Sequence, residues 1–455
     1  MLSLTFLLRR IIIVTGDDMD KFEIARGLLR RAALEGRKPG LERVRILADK
    51  LGSPQEKLRV IHISGTNGKG SFGAMLTSVL TAAGIKNGWF SSPALTDITD
   101  SFRICGEPVT YHKLAEVLCD IAPVFDSMDD KPTEFEVITA AAYGLFYRSG
   151  CEIAVIECGL GGSLDSTNIV SSPLLSVITN VQLDHTDVLG TSTAEIAAHK
   201  AGIIKRGRPV LFGGTDESAL EVIEEKAAQC GSELFTTDYS RLKIVSQTID
   251  GTVISFGGYG RIVLSMLGEY QPYNAASVLT AVDILKGLGT DIPDRAVIEG
   301  MASAVWHGRF EVLKKNPHII YDGAHNPDGI KSTARSIRRY FGGRKIVLLM
   351  CVMADKDYSC YADELGELAE LVVTASPEGI SRALDSRSLA AALAAGGMNA
   401  VPFDDFGEGV RYAVGYARKL GCPLAALGTL YMYPHFVNEL KNGQITNKMG
   451  DERWR

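Results

Sequence analysis

The chain has no paired cysteines, no apolar run long enough for a membrane and no excess of positive charge, and each absence removes a class of function. Its eight cysteines (positions 105, 119, 151, 158, 230, 351, 360 and 422) are scattered, with no C-x-x-C pair. Neither a disulfide framework nor a zinc site is expected, and reduced thiols in a cytoplasm suit the pattern. The formal net charge of −6 argues against nucleic acid as the main partner. Residues 2–14 are apolar, but Arg9 and Arg10 interrupt them and no small-residue cleavage site follows, so they do not read as a signal peptide. They are also too short to span a bilayer, and no other segment approaches that length, so no membrane partner is expected. The amphipathic pattern of Phe22, Ile24, Ala25, Leu28 and Leu29 begins just after Met19, which is the expected working N-terminus. The chain has no internal repeat and no low-complexity tract.

What is present is the size and composition of a multidomain globular protein: 455 residues, 46% hydrophobic and 22% charged. The most informative segment is Gly65-Thr66-Asn67-Gly68-Lys69-Gly70-Ser71. It follows the apolar run Val60-Ile61-His62-Ile63 and precedes a helical stretch at 72–83. A strand, a glycine turn and a helix start make a phosphate cradle, in which backbone N–H groups converge, the helix dipole favours an anion and a lysine adds fixed charge. The spacing departs from the common G-x-x-x-x-G-K-[ST] by a glycine between Lys69 and Ser71.

Around this loop, strands and helices alternate. Two helical stretches are split near 36–40, a strand covers 60–64, and 88–109 reads as an irregular loop rich in Ser, Thr, Asp, Gly and Pro. A helix at 134–149 precedes strand 152–157, and strand 174–179 follows. Shorter strands are expected at 208–213 and within 231–268, and helices at 272–288 and 296–302. A second series runs strand 318–321, helix 328–340, strand 345–351, helix 359–369, strand 370–374, helices 386–395 and 406–419, and strand 423–428. The pattern predicts an α/β protein: a P-loop-type, doubly wound, mostly parallel sheet domain over 20–303, and a smaller C-terminal α/β domain of Rossmann-like kind over 304–440. Residues 1–18 and 441–455 are expected to be loosely attached.

Ligands of such sheets sit at the carboxyl ends of strands, and polar residues gather at these exits. Glu157 ends a strand beside the phosphate loop, as either a turn cap or an oxygen ligand for Mg²⁺. His185, in Leu183-Asp184-His185-Thr186, is either structural or a ligand. Lys200 is either a surface helix lysine or a partly buried amine that takes up CO₂ as a carbamate. Arg309, in Trp306-His307-Gly308-Arg309-Phe310-Glu311, offers a guanidinium fork for phosphate. Asp322-Gly323-Ala324-His325-Asn326-Pro327 and Met353-Ala354-Asp355-Lys356-Asp357 are two further polar exits.

Together these motifs resemble the folylpolyglutamate synthase/dihydrofolate synthase family of the Mur ligase superfamily, from about residue 40 to about residue 431. The resemblance implies that Gly65, Thr66, Asn67, Gly68, Lys69, Gly70 and Ser71 bind ATP phosphates. It makes Asn274 the adenine-side contact, Arg309 a phosphate ligand and Asp322 a nucleotide contact. His325 is implied near the phosphate or the incoming glutamate. Ser92, Glu157 and His185 match magnesium ligands, and Lys200 matches a lysine that is carbamylated. Thr133, Glu134, Phe135 and Glu136, with Leu164, Asp165 and Ser166, match stretches lining the pterin site. Three stretches depart from the family pattern, at Ala94, at Phe102, and at Ser163 with Ser166; the reading places them in or beside the acceptor pocket.

The implied activity is an ATP-dependent amide ligase in which Lys69, Lys200, His325 and Arg309 serve catalysis. A substrate carboxylate takes the γ-phosphoryl group, and the amine of L-glutamate then displaces phosphate. Small molecules (a pterin or folate acid, glutamate and ATP) are the expected partners of a monomer. The departures motivate an alternative, a ligase of the same superfamily acting on a non-pterin acid. A nucleotide-binding regulator without catalysis is the competitor from another class.

Overall fold

A computed structural model describes residues 16–380 and 382–449. The apolar residues 2–14 and the end of the tail, 450–455, lie outside the described residues. The first helices are α1 (Gly16–Leu34), which contains Met19, and α2 (Glu42–Lys50). Next come β1 (Arg59–Ser64), α3 (Lys69–Ala82), β2 (Asn87–Phe90), β3 (Phe102–Ile104), β4 (Glu107–Pro108), α4 (Tyr111–Ser127) and α5 (Glu134–Arg148). They are followed by β5 (Ile153–Glu157), β6 (Leu175–Ile178), α6 (Thr186–Leu189), α7 (Thr193–Ala201), β7 (Val210–Phe212), α8 (Glu217–Cys230) and β8 (Leu234–Thr236).

These eight strands form one sheet in the order β4-β3-β2-β5-β1-β6-β7-β8. Pairing is parallel from β2 to β8, and only the β2–β3 and β3–β4 pairs are antiparallel. Both faces are covered, as a parallel sheet requires. Val60, Ala154 and Ile156 pack into one apolar cluster, and Ile61, Ile63 and Val155 into another. A three-stranded antiparallel sheet, β9 (Leu242–Thr248), β10 (Gly251–Phe256) and β11 (Arg261–Leu264), sits on the second cluster. The helices α9 (Gln271–Gly287) and α10 (Asp294–Ser303) then pack on α3.

The second domain comprises β12 (Glu311–Lys315), β13 (His318–Asp322), α11 (Pro327–Phe341), β14 (Ile346–Met350), α12 (Tyr361–Leu365), β15 (Ala369–Thr374), α13 (Ser386–Ala395), β16 (Ala400–Pro402), α14 (Phe406–Leu420), β17 (Leu424–Leu427) and α15 (Tyr433–Met449). Its sheet order is β12-β13-β17-β14-β15-β16, parallel except for β12. The two doubly wound sheets are the architecture expected from the alternating pattern.

The structure revises several local expectations. The 88–109 stretch supplies β2, β3 and β4, and Cys105 and Gly106, at φ 49° and 85°, form the two-residue turn of the β3–β4 hairpin. Helix α4 was not expected, although Leu114, Val117, Leu118, Ile121 and Phe125 recur with helical period on its buried face. Helix α8 was also missed; Asp216 caps its start and Gly231 its end. The helix expected over 359–369 is shorter, five residues, Tyr361–Leu365. The start of the polar tail is helical as part of α15.

Candidate functional site

The site begins where β1 stops. Gly68, at φ 86°, caps α3 without a side-chain acceptor, and no acidic residue occupies the helix's first turn, so its N–H groups face outward for an anion. A side chain at Gly68 is doubly disfavoured: the backbone is left-handed, and an added Cβ would lie 2.8 Å from Asn274 Oδ1. Asn274 therefore stands over the loop, tied through Gln271 Oε1 (2.9 Å), while Gln271 Nε2 donates to the buried Ser71 Oγ (3.1 Å). The loop curls around its own lysine: Lys69 Nζ donates to the carbonyls of Gly65 (2.9 Å) and Thr66 (3.2 Å). The exit of β6 holds the loop from the other side. Asn67 N–H donates to Asn180 Oδ1 (2.8 Å), and Asn67 Nδ2 donates to Gln182 Oε1 (2.7 Å).

Sheet register brings Glu157 to this loop, since Glu157 ends β5 opposite Ile63 of β1. The side chain is buried and its Oε2 has no hydrogen-bond partner. Burial pushes its pKa up to about 7, against the pull of Lys69 and Arg309. Ser92 lies just past β2, the other neighbour of β5. His185 caps the start of α6 at φ 50°, its Nε2 3.9 Å from Asp184 Oδ1. Burial lowers the His185 pKa despite Asp184, so the ring favours the neutral form that ligates metals. Among the described residues no group of three or more His, Cys, Asp and Glu is arranged to hold a metal. The residues present nevertheless fit a magnesium ion that draws its remaining oxygens from phosphate and water, because Glu157 keeps a buried, unpartnered carboxylate oxygen.

Lys200, on α7, is not a surface residue: it is 2% exposed. Burial, reinforced by Lys69, lowers its pKa to about 7, so a large share of the amine is neutral and nucleophilic near neutrality. Gly162 makes this close packing possible, since a Cβ there would meet the carbonyls of His199 and Lys200 at 2.8 Å. An open cavity of about 370 Å³ lies beside it, lined by Ser163, Glu195, Ala198 and His199.

The residues expected to line the acceptor divide into two groups. Leu164 is exposed and Phe135 half-buried, its ring centroid 6.0 Å from that of Phe90. Thr133 and Glu136, by contrast, form the capping box of α5, and Glu136 also pairs with Arg43 at 3.0 Å. Asp165 is committed to the loop itself, accepting from Leu160 N–H (2.8 Å) and from Thr167 N–H (3.0 Å) and Oγ1 (2.5 Å). Glu134 and Ser166 are buried. Phe102 is fully buried against Phe90, so that departure is a core residue.

The second domain delivers its groups in the same way. Asp322 ends β13; burial raises its pKa to about 6, and it accepts from Thr333 Oγ1 (2.9 Å) and Ala324 N–H (3.2 Å). The half-buried Arg309 packs on Gly323 and is among the charges acting on Glu157, Asp322 and His325. His325 has its pKa lowered to about 4 by burial and by Lys356. Its Nδ1 lies 2.8 Å from the Gly323 carbonyl, so Nδ1 carries the proton and Nε2 is an acceptor.

Three polar residues that sequence reasoning quoted without a role join the domains here. Asn326 Nδ2 donates to Asp184 Oδ2 (2.9 Å) and Asn67 Oδ1 (3.3 Å), and Lys356 Nζ lies 3.1 Å from Asp184 Oδ1. Burial raises the Asp184 pKa, but His185, Lys356 and Asn326 outweigh it and hold the group ionised. The signal for all three was their position at strand exits; their pairing was not readable, because it crosses between sheets.

Residues 63–282 match the family model for the Mur ligase middle domain, and residues 308–422 that for the Mur ligase glutamate ligase domain. The chain is 34% identical over 352 residues to a Bacillus subtilis dihydrofolate synthase/folylpolyglutamate synthase, covering 75% of this chain and 82% of the relative. It is 35% identical over 356 residues to a folylpolyglutamate synthase of Lacticaseibacillus casei, with the same coverage. A Mycobacterium tuberculosis folylpolyglutamate synthase solved with ADP and AMPPCP superimposes with a TM-score of 0.83 at 27% identity, over 94% of this chain and 98% of the other. Two adjoining Mur-type domains define the class: ligases that use ATP to join an acid to an amine. Within that class, the chain belongs to the folylpolyglutamate synthase/dihydrofolate synthase family. Among the described residues no helix is long and apolar enough to cross a membrane.

Proposed function

We propose that this ATP-dependent ligase adds L-glutamate to dihydropteroate, to a folate polyglutamate, or to both, through an acyl phosphate. The observation that carries the reading is Glu157: a buried carboxylate with a free oxygen, beside the phosphate loop, under the charges of Lys69 from one domain and Arg309 from the other. The non-pterin alternative gains nothing from the relatives, whose names specify folate chemistry.

In the proposed reaction an oxygen of the acceptor carboxylate forms a bond to the γ-phosphorus while the β–γ bridging bond breaks and ADP leaves. Residues 65–71 hold the phosphates through backbone N–H groups, and Lys69 and Arg309 offset the charge that spreads over the transferring group. Ser92, Glu157 and His185 would hold Mg²⁺, which supplies charge neutralisation at the phosphate oxygens. The nitrogen of glutamate then attacks the acyl carbon, the bond to phosphate breaks, and the amine sheds a proton. His325 Nε2, neutral and unprotonated at physiological pH, would receive it. The neutral Lys200 amine adds to the carbon of CO₂ and sheds a proton, giving a buried carbamate anion. Asn274 and Asp322 orient the nucleotide, and Leu164 and Phe135 give the acceptor an apolar wall.

The units are taken as 20–303 and 304–440, with residues 304–307 as the connection between them, in a monomer. A cytoplasmic setting is consistent with the eight described cysteines, all of them free. The test is incubation of the purified protein with ATP, L-glutamate and either dihydropteroate or tetrahydrofolate, following ADP release and product mass. A mass gain of one glutamate with stoichiometric ADP supports the reading. ADP release without a new amide, or no ADP with either acceptor, overturns it.

A further inference from the structure

The glycine at position 70, which separates the lysine from the serine of the phosphate loop, is explained by a tryptophan. A Cβ at Gly70 would sit 2.5 Å from Trp306 Nε1 and 2.8 Å from its Cε2. One turn on, a Cβ at Gly73 would sit 2.6 Å from Trp89 Nε1. The two indoles touch each other, their centroids 4.6 Å apart at 49°. The first two turns of α3 are thus covered by a pair of indoles that fit only because two residues, three apart on one helical face, lack side chains.

Trp306 is also where the chain leaves the first domain. Helix α10 lies backbone to backbone on α3: Gly300 abuts Val79, and Ser78 Oγ donates to Gly300 O at 2.8 Å. Ala304 is buried and its carbonyl accepts from Ser265 Oγ at 2.5 Å. Gly308, by contrast, belongs to the second domain: its N–H donates to Glu311 Oε2 (2.8 Å) and its carbonyl accepts from Gly323 N–H (2.9 Å). The crossing falls at His307, between an anchored indole and a glycine at φ 74°, and Arg309 follows at once.

We propose that Trp306 is a positioning residue for the ligase reaction: its indole, seated on Gly70 and Trp89, sets the distance from the phosphate loop to Arg309. The proposal rests on the reading of Arg309 as a phosphate ligand. Arg309 lies only three residues after Trp306, and misplacement by about 1 Å costs on the order of a hundredfold in rate.

Steady-state kinetics, a thermal melt and ADP titration of tryptophan emission test it. The expected result for Trp306→Ala is a kcat lowered at least about tenfold, with the KM for ATP changed less than about threefold, and for Trp306→Phe a recovery of most of the kcat. In the native protein, where Trp89 and Trp306 are two of only three tryptophans, ADP should change the emission, and Trp306→Phe should lose most of that change. Full kcat in Trp306→Ala overturns the proposal, as does an emission change that Trp306→Phe retains in full. If Trp306→Ala does not fold, the Trp306→Phe emission and kinetics decide alone. Arg309→Ala is the separate control: unchanged turnover there removes the reading of Arg309, whereas low turnover in Arg309→Ala beside full turnover in Trp306→Ala removes only the role of Trp306.

Discussion

Two buried carboxylates stand at two strand exits, Glu157 after β5 and Asp322 after β13, and burial raises the pKa of both. Their hydrogen bonding differs. Asp322 has Thr333, Ala324 and Tyr270 as donors and settles near 6. Glu157 keeps an oxygen with no donor and settles near 7. A polar atom buried without a partner costs stability unless a ligand completes it. The carboxylate of the first domain is therefore incomplete and that of the second completed, a difference that fits the proposal of a metal at Glu157.

The comparison breaks most visibly at the charges that act on Glu157. Arg309→Ala is expected to lower turnover by about two to three orders of magnitude while the circular dichroism spectrum stays native; turnover within a few-fold of the native enzyme defeats the assignment. Glu157→Gln is expected to lose turnover on a similar scale yet to gain stability. A folded pKa near 7, above the ordinary carboxylate value, means that the unliganded protein loses stability as pH rises from about 4.5 to about 7, in all about 3 kcal/mol. Thermal melts across that window should show this loss in the native protein and not in Glu157→Gln; a lower melting temperature for the variant at pH 8 contradicts the picture.

Lys200→Ala should lower turnover by about tenfold or more, with partial rescue by added acetate. Because the Lys200 amine loses its proton near 7, stimulation of the native enzyme by bicarbonate should grow as pH rises through that value. Absence of both rescue and bicarbonate response argues against the carbamate. The bridge between domains sharpens the comparison at smaller scale. A double-mutant cycle of Asp184→Asn and Lys356→Met, read in kcat/KM, should give a coupling of about 1 kcal/mol, and additivity would mean the pair does not act in turnover. The completed carboxylate is expected to follow the same sign as Glu157: with its pKa raised to about 6, Asp322 makes stability fall as pH rises from about 4 to about 6, and Asp322→Asn, whose amide oxygen can still accept from Thr333, should remove that fall in urea unfolding.

Much of this was legible in the chain. The glycine loop, the strand exits at Glu157 and Asp322 and the two β/α series follow from residue type and order. What was misread has local causes. The 88–109 stretch lacks the apolar length of a buried strand, and its pairing is completed by β5. The resemblance predicts Thr133 and Glu136 as acceptor contacts, whereas their side chains form the cap of α5 and Glu136 pairs with Arg43, 93 residues away. Position within a motif singles out residues and does not say whether their side chains face a ligand or the scaffold.

The sequence by itself determined the class of chemistry, because a strand, a glycine turn, a lysine and a helix start are adjacent along the chain and need no partner to be recognised. Only the tertiary structure decided which carboxylate lacks a donor, how far burial moves Lys200, and that Asp184, Asn326 and Lys356 meet. Those properties depend on desolvation and on groups from different sheets, and neither is a function of local residue order.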